Sequence, residues 1–224
     1  MLGLIKTEQK GNPKMSTKTI TSPKREIAPV GLNGKHEEQL LVNLPKLDLR
    51  TMKISLVGDS SLLCNRFSEK AKQQMLDKQM KKAKQGKEAK DPEQCFRDSL
   101  YHLPGEKFGF PTIAFKGAAV DACTHVDGIT KVEARGAFHV LGEYAEIKGK
   151  PQPHTATVRI GMGTTDIRIR GEFPEWSTEL TVRYNASTLQ PEQIINLFNV
   201  AGFAIGVGEH RPQKDGSNGM FHVA

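Results

Sequence analysis

The chain has 224 residues, of which 37% are hydrophobic and 25% charged, and its mean hydropathy is −0.46. This length is enough for one large domain with its own core, and no run of about 18 apolar residues is present to cross a membrane. The three cysteines are widely spaced and form no CxxC or Cys/His metal pattern, so a disulfide scaffold is excluded and a reducing cytoplasm is favoured.

Positive charge is concentrated in two segments rather than spread over the surface. The net charge is +7, with +4 in residues 1–50, +6 in residues 66–90 and −3 in residues 91–224. A mildly acidic body with one strongly basic segment is typical of a protein that contacts a polyanion. The alternative, that the basic segment is only a solvated helical face, has equal weight from charge alone.

The first 50 residues are rich in Lys, Thr, Pro, Gly and Asn without sustained periodicity, which predicts a flexible basic arm. Alternation over 53–58 predicts a first strand that ends at Gly58. Residues 68–85 are strong helix formers with Ser68 as N-cap, and only a thin apolar stripe runs along them. This helix offers its cations to a phosphate backbone: Lys70, Lys72, Lys78, Lys81 and Lys82.

The middle of the chain contains one clear helix. Apolar residues recur at helical spacing over 113–126 and predict a buried helix that ends before Gly128. Residues 92–103 favour another short helix, 108–111 a break, 137–141 a strand and 148–153 a loop.

The C-terminal third has the strongest patterns. Alternation predicts half-buried strands over 166–170 and 177–184, and Pro191 opens a helix that Gly202 closes. Short strands are predicted over 204–208 and 220–223. The order of elements indicates an α+β fold: a ferredoxin-like (RRM-like) split βαβ sheet over 51–224, with a helical insertion at about 66–103.

The glycine-rich stretch 206–219 is the leading candidate site, because glycines allow backbone N–H groups to approach an anion. The residues assigned to it are Gly206, Gly208, Arg211, Lys214 and Gly216. Arg168 and Arg170 are two apart and share one face of a strand, so they would reach phosphates as a pair if that face is open. The alternatives are a long hairpin connection for the loop, and cross-strand pairing of the arginines with Glu172 or Glu179.

No residue pattern predicts catalysis. GxSxG is absent, and the histidines are scattered without HxH or HxxxH spacing, so neither an enzyme, a metal site nor a cofactor is predicted. Five aromatic residues are candidates to stack on nucleic-acid bases: Phe108, Phe110, Phe138, Trp176 and Tyr184. For Trp176, near the start of a strand, a core position is the favoured alternative.

Two segments resemble a known superfamily. Residues 53–63, and residues 195–212 together with 218–222, resemble the first strand and the last helix with its glycine-rich loop in the RAMP superfamily. These are ferredoxin-like RNA-binding backbone subunits of CRISPR effectors. The whole of about 50–224 also resembles a protein family found in bacteriophages.

The resemblance implies that the glycine-rich loop and the central helix touch a nucleic-acid backbone. It also implies copies side by side on a small guide RNA, with a complementary target strand as a further partner, in the cytoplasm of a bacterial host. Three other functions remain open: a phage protein that binds or anneals single-stranded DNA, a structural subunit of a virion or tail, and an RNA-cleaving enzyme, for which the sequence assigns no catalytic residue.

Overall fold

Antiparallel strands and helices alternate along the chain. The structure is a computed structural model and describes residues 46–82, 90–161 and 163–224. In this part of the chain the strands are Leu49–Gly58 (β1), Leu62–Cys64 (β2), Tyr101–Leu103 (β3), Lys107–Pro111 (β4), Phe138–Val140 (β5), Tyr144–Lys148 (β6), Gln152–Ile160 (β7), Thr164–Phe173 (β8), Ser177–Asn185 (β9) and Phe221–Val223 (β10).

The described helices cluster in three parts of the chain. They are Glu69–Gln79 (α1), Pro92–Ser99 (α2), Thr112–Ala122 (α3), Lys131–Ala137 (α4) and Pro191–Val200 (α5). A π-helical turn, Ala201–Ile205, continues α5, and a 3₁₀ turn, Pro212–Lys214, lies in the glycine-rich loop. No described helix is long and apolar enough to span a bilayer.

The main sheet has the strand order of the ferredoxin fold. Its strands follow the path β10-β1-β9-β6-β4-β3, with β5 also paired to β9, and every pairing is antiparallel. Within it, β1, β6, β9 and β10 are the four ferredoxin strands, and α3 and α5 pack against one another as its two helices. The α+β, ferredoxin-like prediction is confirmed.

Side-chain alternation on the central strands decides which face of the sheet is covered. Ile54 and Leu56 on β1 and Leu180 and Val182 on β9 are at most 2% exposed and belong to the core. The residues that alternate with them along the strands face outward, and on this face Lys53 forms a 2.9 Å ion pair with Glu179. Period-two alternation with one apolar face is the pattern of a half-buried antiparallel sheet.

A second, smaller sheet carries the hairpin formed by β7 and β8. Its order is β2-β8-β7, so β2 connects the hairpin to the end of β1, and all three residues of β2 are buried. Helix α2 packs on β8, where the Ser99 hydroxyl accepts a 2.7 Å hydrogen bond from the N–H of Gly171. The hairpin is thereby held in place through β8, by the pairing of β8 with β2 and by the packing of α2 on β8.

Several predicted elements are confirmed with shifted ends. The first strand starts four residues earlier than predicted, at Leu49, and the helix predicted over 113–126 is α3. Ser68 caps α1, since its Oγ accepts a hydrogen bond from the N–H of Ala71. The predicted arm lies outside the described residues up to residue 45, and so do residues 83–85 of the helix predicted over 68–85.

Other predictions are wrong. Residues 108–111 are not a break but most of β4, and residues 204–208 are not a strand, because the π-turn runs to Ile205. The loop spans only 149–151 and not 148–153 as predicted, because β6 ends at Lys148 and β7 begins at Gln152. The sequence analysis assigned no element to α4.

Candidate nucleic-acid interface

A cavity of about 260 Å³ lies between the β7–β8 hairpin and the glycine-rich loop. Ala156 on β7 faces Arg168 on β8 in the strand register, and this small side chain leaves space beside the arginine. The hairpin and the loop each supply charged groups, and the full lining is Ala156, Val158, Arg168, Arg170, Gly208, Glu209, His210, Arg211 and Lys214. Four of the cations predicted from the sequence therefore meet at one place.

Arg170 is held by the loop rather than left open to a ligand. Its Nε donates to Oε2 of Glu209 at 2.6 Å, and its side chain is only 12% exposed. Asn65 donates to the same carboxylate, and the N–H of Glu209 donates to the carbonyl of Leu63 at 3.1 Å. Charge-assisted hydrogen bonds of this kind are about twice as strong as neutral ones. Arg170 thus fastens the loop to β8.

Arg211 is also fixed in position, but by neutral groups. Its Nη1 donates to the carbonyl of Gly208 at 3.2 Å, and its Nε and Nη2 donate to Oε1 of Gln213 at 3.2 and 3.0 Å. No described carboxylate pairs with it. The guanidinium keeps its full positive charge and loses little conformational entropy when it meets an anion.

The loop is fastened to the core helix through Asp121, on α3. Its Oδ2 accepts a 2.9 Å hydrogen bond from Nε2 of Gln213, and its Oδ1 accepts one of 2.8 Å from Lys131. The hydrogen bond from Lys131 is the main cause that lowers the pKa of Asp121 below its usual range. The carboxylate stays ionised and links the ends of α3, α4 and the loop.

Lys214 and Arg168 are the cations that the site leaves most accessible. The ammonium of Lys214 has no hydrogen bond or ion pair within the described part of the chain, and Arg168 is 43% exposed with a long 3.8 Å contact to Asp166. The lining contains four cations and one carboxylate, so its formal charge is +3 when histidine is counted as uncharged. The alternative that Arg168 and Arg170 pair with Glu172 or Glu179 is wrong: those carboxylates accept from Gln152 and Lys53.

The three predicted glycines have different roles. A Cβ on Gly206 would lie 2.6 Å from Cδ of Pro212, and one on Gly216 would lie 1.7 Å from the carbonyl oxygen of His210. Both donate their N–H groups within the protein, to the carbonyls of Ala201 and Arg211. A Cβ on Gly208 would lie 2.6 Å from the carbonyl oxygen of Leu63, so all three glycines allow the loop to fold tightly. Gly208 also lines the cavity, and its N–H has no acceptor among the described residues.

The lysines of α1 form a separate basic surface. Helix α1 has no buried residue, and none of its residues lines the cavity. Lys72 pairs with Glu69 at 2.7 Å and Lys82 with Asp77 at 2.9 Å, and each lysine lowers the pKa of its carboxyl partner. Three further predicted cations lie on or just after this helix: Lys70, Lys78 and Lys81.

The predicted stacking residues lie in or against the core. Phe110, Phe138, Trp176 and Tyr184 are at most 5% exposed, and Phe108 packs against the core cluster. Trp176 Nε1 donates to the carbonyl of Ser60 at 2.9 Å. The sequence analysis missed the exposed aromatic ring near the loop, Phe203. The signal was present, since Phe203 lies on the opposite side of the helix from its buried residues.

Comparison with known proteins gives a likeness of fold. No protein-family model and no curated protein matches the sequence. A chain of the type III-B Cmr-beta structure bound to cognate target RNA superimposes with a TM-score of 0.52 at 12% identity, over 79% of this chain and 59% of that chain. Cmr6 from Pyrococcus furiosus superimposes with a TM-score of 0.42 at 12% identity, over 80% of this chain and 100% of that chain.

This chain therefore spans less than two thirds of the Cmr-beta chain. At 12% identity the superposition shows a likeness of fold alone. The strand order of the main sheet is that of the ferredoxin-type fold expected from the sequence. The resemblance to a bacteriophage family finds no support in these comparisons.

Proposed function

We propose that this chain is an RNA-binding subunit without a catalytic role of its own, and that copies of it assemble along a small guide-type RNA in a bacterial cytoplasm. The observation that carries the proposal is the cavity at +3 between β8 and the glycine-rich loop. The fold supports it, because a chain of the same fold belongs to a structure with bound target RNA.

The binding mechanism is neutralisation of phosphates. Lys214 and Arg168 supply exposed cations, and Arg211 supplies a preorganised guanidinium. Gly208 supplies a backbone N–H that has no acceptor among the described residues. Such contacts release counterions and fix the register of the RNA without reading its sequence. Sequence recognition then belongs to base pairing of the bound RNA with a complementary strand, as in RNA-guided complexes.

The test is competition between single-stranded RNA and DNA of one sequence, measured over a salt series with nucleic-acid-free protein. We expect tighter binding of RNA and a linear fall of log affinity with log salt. Lys214→Ala should reduce the magnitude of that slope by about 0.7, the value for one phosphate of a single strand. Lys148→Ala is the charge-matched control, since Lys148 is exposed on β6 and does not line the cavity.

Each contrary outcome has a definite meaning. Equal or tighter binding of DNA would replace RNA by single-stranded DNA as the ligand. Stable oligomers that bind neither would favour the structural subunit. The first measurement is the 260/280 nm absorbance ratio of protein purified from cells with its flanking locus, where discrete RNase-sensitive small RNAs are expected.

A further inference from the structure

Phe203 is the most exposed aromatic side chain of the described residues, at 76%. It lies in the middle of the π-turn, between residues that are held in the core: Ala201 is fully buried and Ile205 is 4% exposed. A Cβ on Gly202 would lie 1.7 Å from the carbonyl oxygen of Phe221, so this part of the turn is pressed against β10. The backbone is fixed by its buried side, and the ring of Phe203 extends into solvent.

The π-turn also packs against the glycine-rich loop. It is closed by a 2.8 Å hydrogen bond from the N–H of Gly206 to the carbonyl of Ala201. Gly206 in turn lies against Pro212, the first residue of the 3₁₀ turn that carries Lys214. The turn that carries this exposed ring is therefore anchored beside the loop whose cations line the cavity. π-turns within helices are frequent at functional sites.

We propose that Phe203 is a stacking platform for an unpaired base of the RNA whose phosphate lies in the cavity. This inference rests on the proposed function and adds a second kind of contact to it. Proteins that bind single strands combine cations along the backbone with aromatic rings under the bases, and the stacking tolerates any base. The neighbouring charges favour nucleic acid over a protein partner, since the adjoining cavity carries +3 and Lys214 has no described counter-ion.

The test compares Phe203→Ala, Phe203→Leu and Phe203→Tyr in binding to single-stranded RNA. We expect the alanine variant to bind between about fivefold and a hundredfold more weakly, the range for loss of one stacked base. Tyrosine should restore the affinity and leucine should not, because stacking requires a π-face. The salt slope should stay at the wild-type value, since no phosphate contact is lost.

Two controls separate stacking from other roles. Ile113→Ala removes an equally exposed apolar side chain, at 76%, from the start of α3 and should leave RNA affinity unchanged. An RNA with an abasic position opposite the ring should bind wild type and Phe203→Ala equally. The urea midpoint of Phe203→Ala should match wild type, because an exposed ring contributes little to folding.

The outcomes distinguish this inference from the function on which it rests. If wild type binds RNA with the expected salt slope and Phe203→Ala binds equally well, stacking is refuted and the phosphate site stands. If wild type does not bind RNA, both fail. If Phe203→Ala changes only the oligomeric state, the ring is a contact between subunits and the inference is overturned.

Discussion

At the scale of single residues, two helical glycines have opposite surroundings. A Cβ on Gly202 would overlap the backbone of Phe221, at 1.7 Å from its carbonyl oxygen. A Cβ on Gly117, in α3, would meet nothing within 4 Å. Neither has a positive φ, so the same substitution tests packing at one position and helix propensity at the other.

Gly202→Ala should lower the free energy of unfolding by at least about 1–3 kcal/mol, because β10 must move away from the π-turn. Gly117→Ala should raise it by up to about 1 kcal/mol, because alanine restricts the unfolded chain and favours the helix. Urea unfolding of both variants measures this. Equal effects at the two positions would contradict the close contact between Gly202 and β10.

The sequence predicted the charged residues of the cavity but not their individual roles. Arg168, Arg211 and Lys214 stood out because a basic strand and a basic glycine-rich loop are visible in one dimension. The pairing of Arg170 with Glu209 joins residues 39 apart, and no local pattern indicates which arginine a loop carboxylate will choose. Phe203 was missed because the helix was predicted to end at Gly202, whereas a π-turn continues it to Ile205.

At the scale of elements, one carboxylate of α3 adds a further attachment of the loop to the core. Asp121→Asn removes the charge that holds Lys131 and weakens the contact with Gln213. We expect the loss of at most about 1 kcal/mol of stability, since this pair is partly exposed. The larger effect should be faster hydrogen exchange of loop amides, read at Gly216 and Asn218. Asp215→Asn is the matched control, because Asp215 is exposed in the same loop and has no described partner.

The same link gives a pH dependence with a definite sign. The folded pKa of Asp121 is below the unfolded value of about 3.9. Its contribution to stability is therefore complete above that value and is lost as the pH falls towards the folded pKa. Asp121→Asn should show a smaller loss of stability between pH 6 and pH 3 than wild type, by at most the amount that it lacks at neutral pH. Identical acid profiles would contradict this.

Among the strands that the sequence did not predict, β4 and β7 contain residues that usually end strands. In β4, Gly109 lies against Leu103 and Tyr144, where a Cβ would come within 3.0 Å of a leucine methyl group. Pro153 enters β7 near its start, and β7 is the edge of its sheet, where the absent N–H costs little. Such positions depend on which strand becomes a neighbour, and the sequence alone does not specify this.

At the scale of the whole molecule, the cavity and α1 are two separate basic surfaces. If one RNA contacts both surfaces, the double variant Lys81→Glu/Lys82→Glu should bind RNA more weakly and reduce the slope of log affinity against log salt. Its change in binding free energy should add to that of Lys214→Ala, because the two surfaces are separate. Shortening the RNA should abolish the effect of the α1 variant while the effect of Lys214→Ala persists. An α1 variant that is indistinguishable from wild type on every RNA length would remove α1 from the interface.

The position of β1 as an inner strand of the main sheet has a consequence for biosynthesis. Both its neighbours, β9 and β10, are translated much later. Asp48, directly before β1, donates a hydrogen bond to Asn185 at the end of β9, and these residues are 137 positions apart. On the ribosome, β1 must wait with both edges unpaired until more than half of the chain has followed it. A topology of such high contact order folds slowly, and a chaperone that shields β1 should raise the yield of native protein during translation.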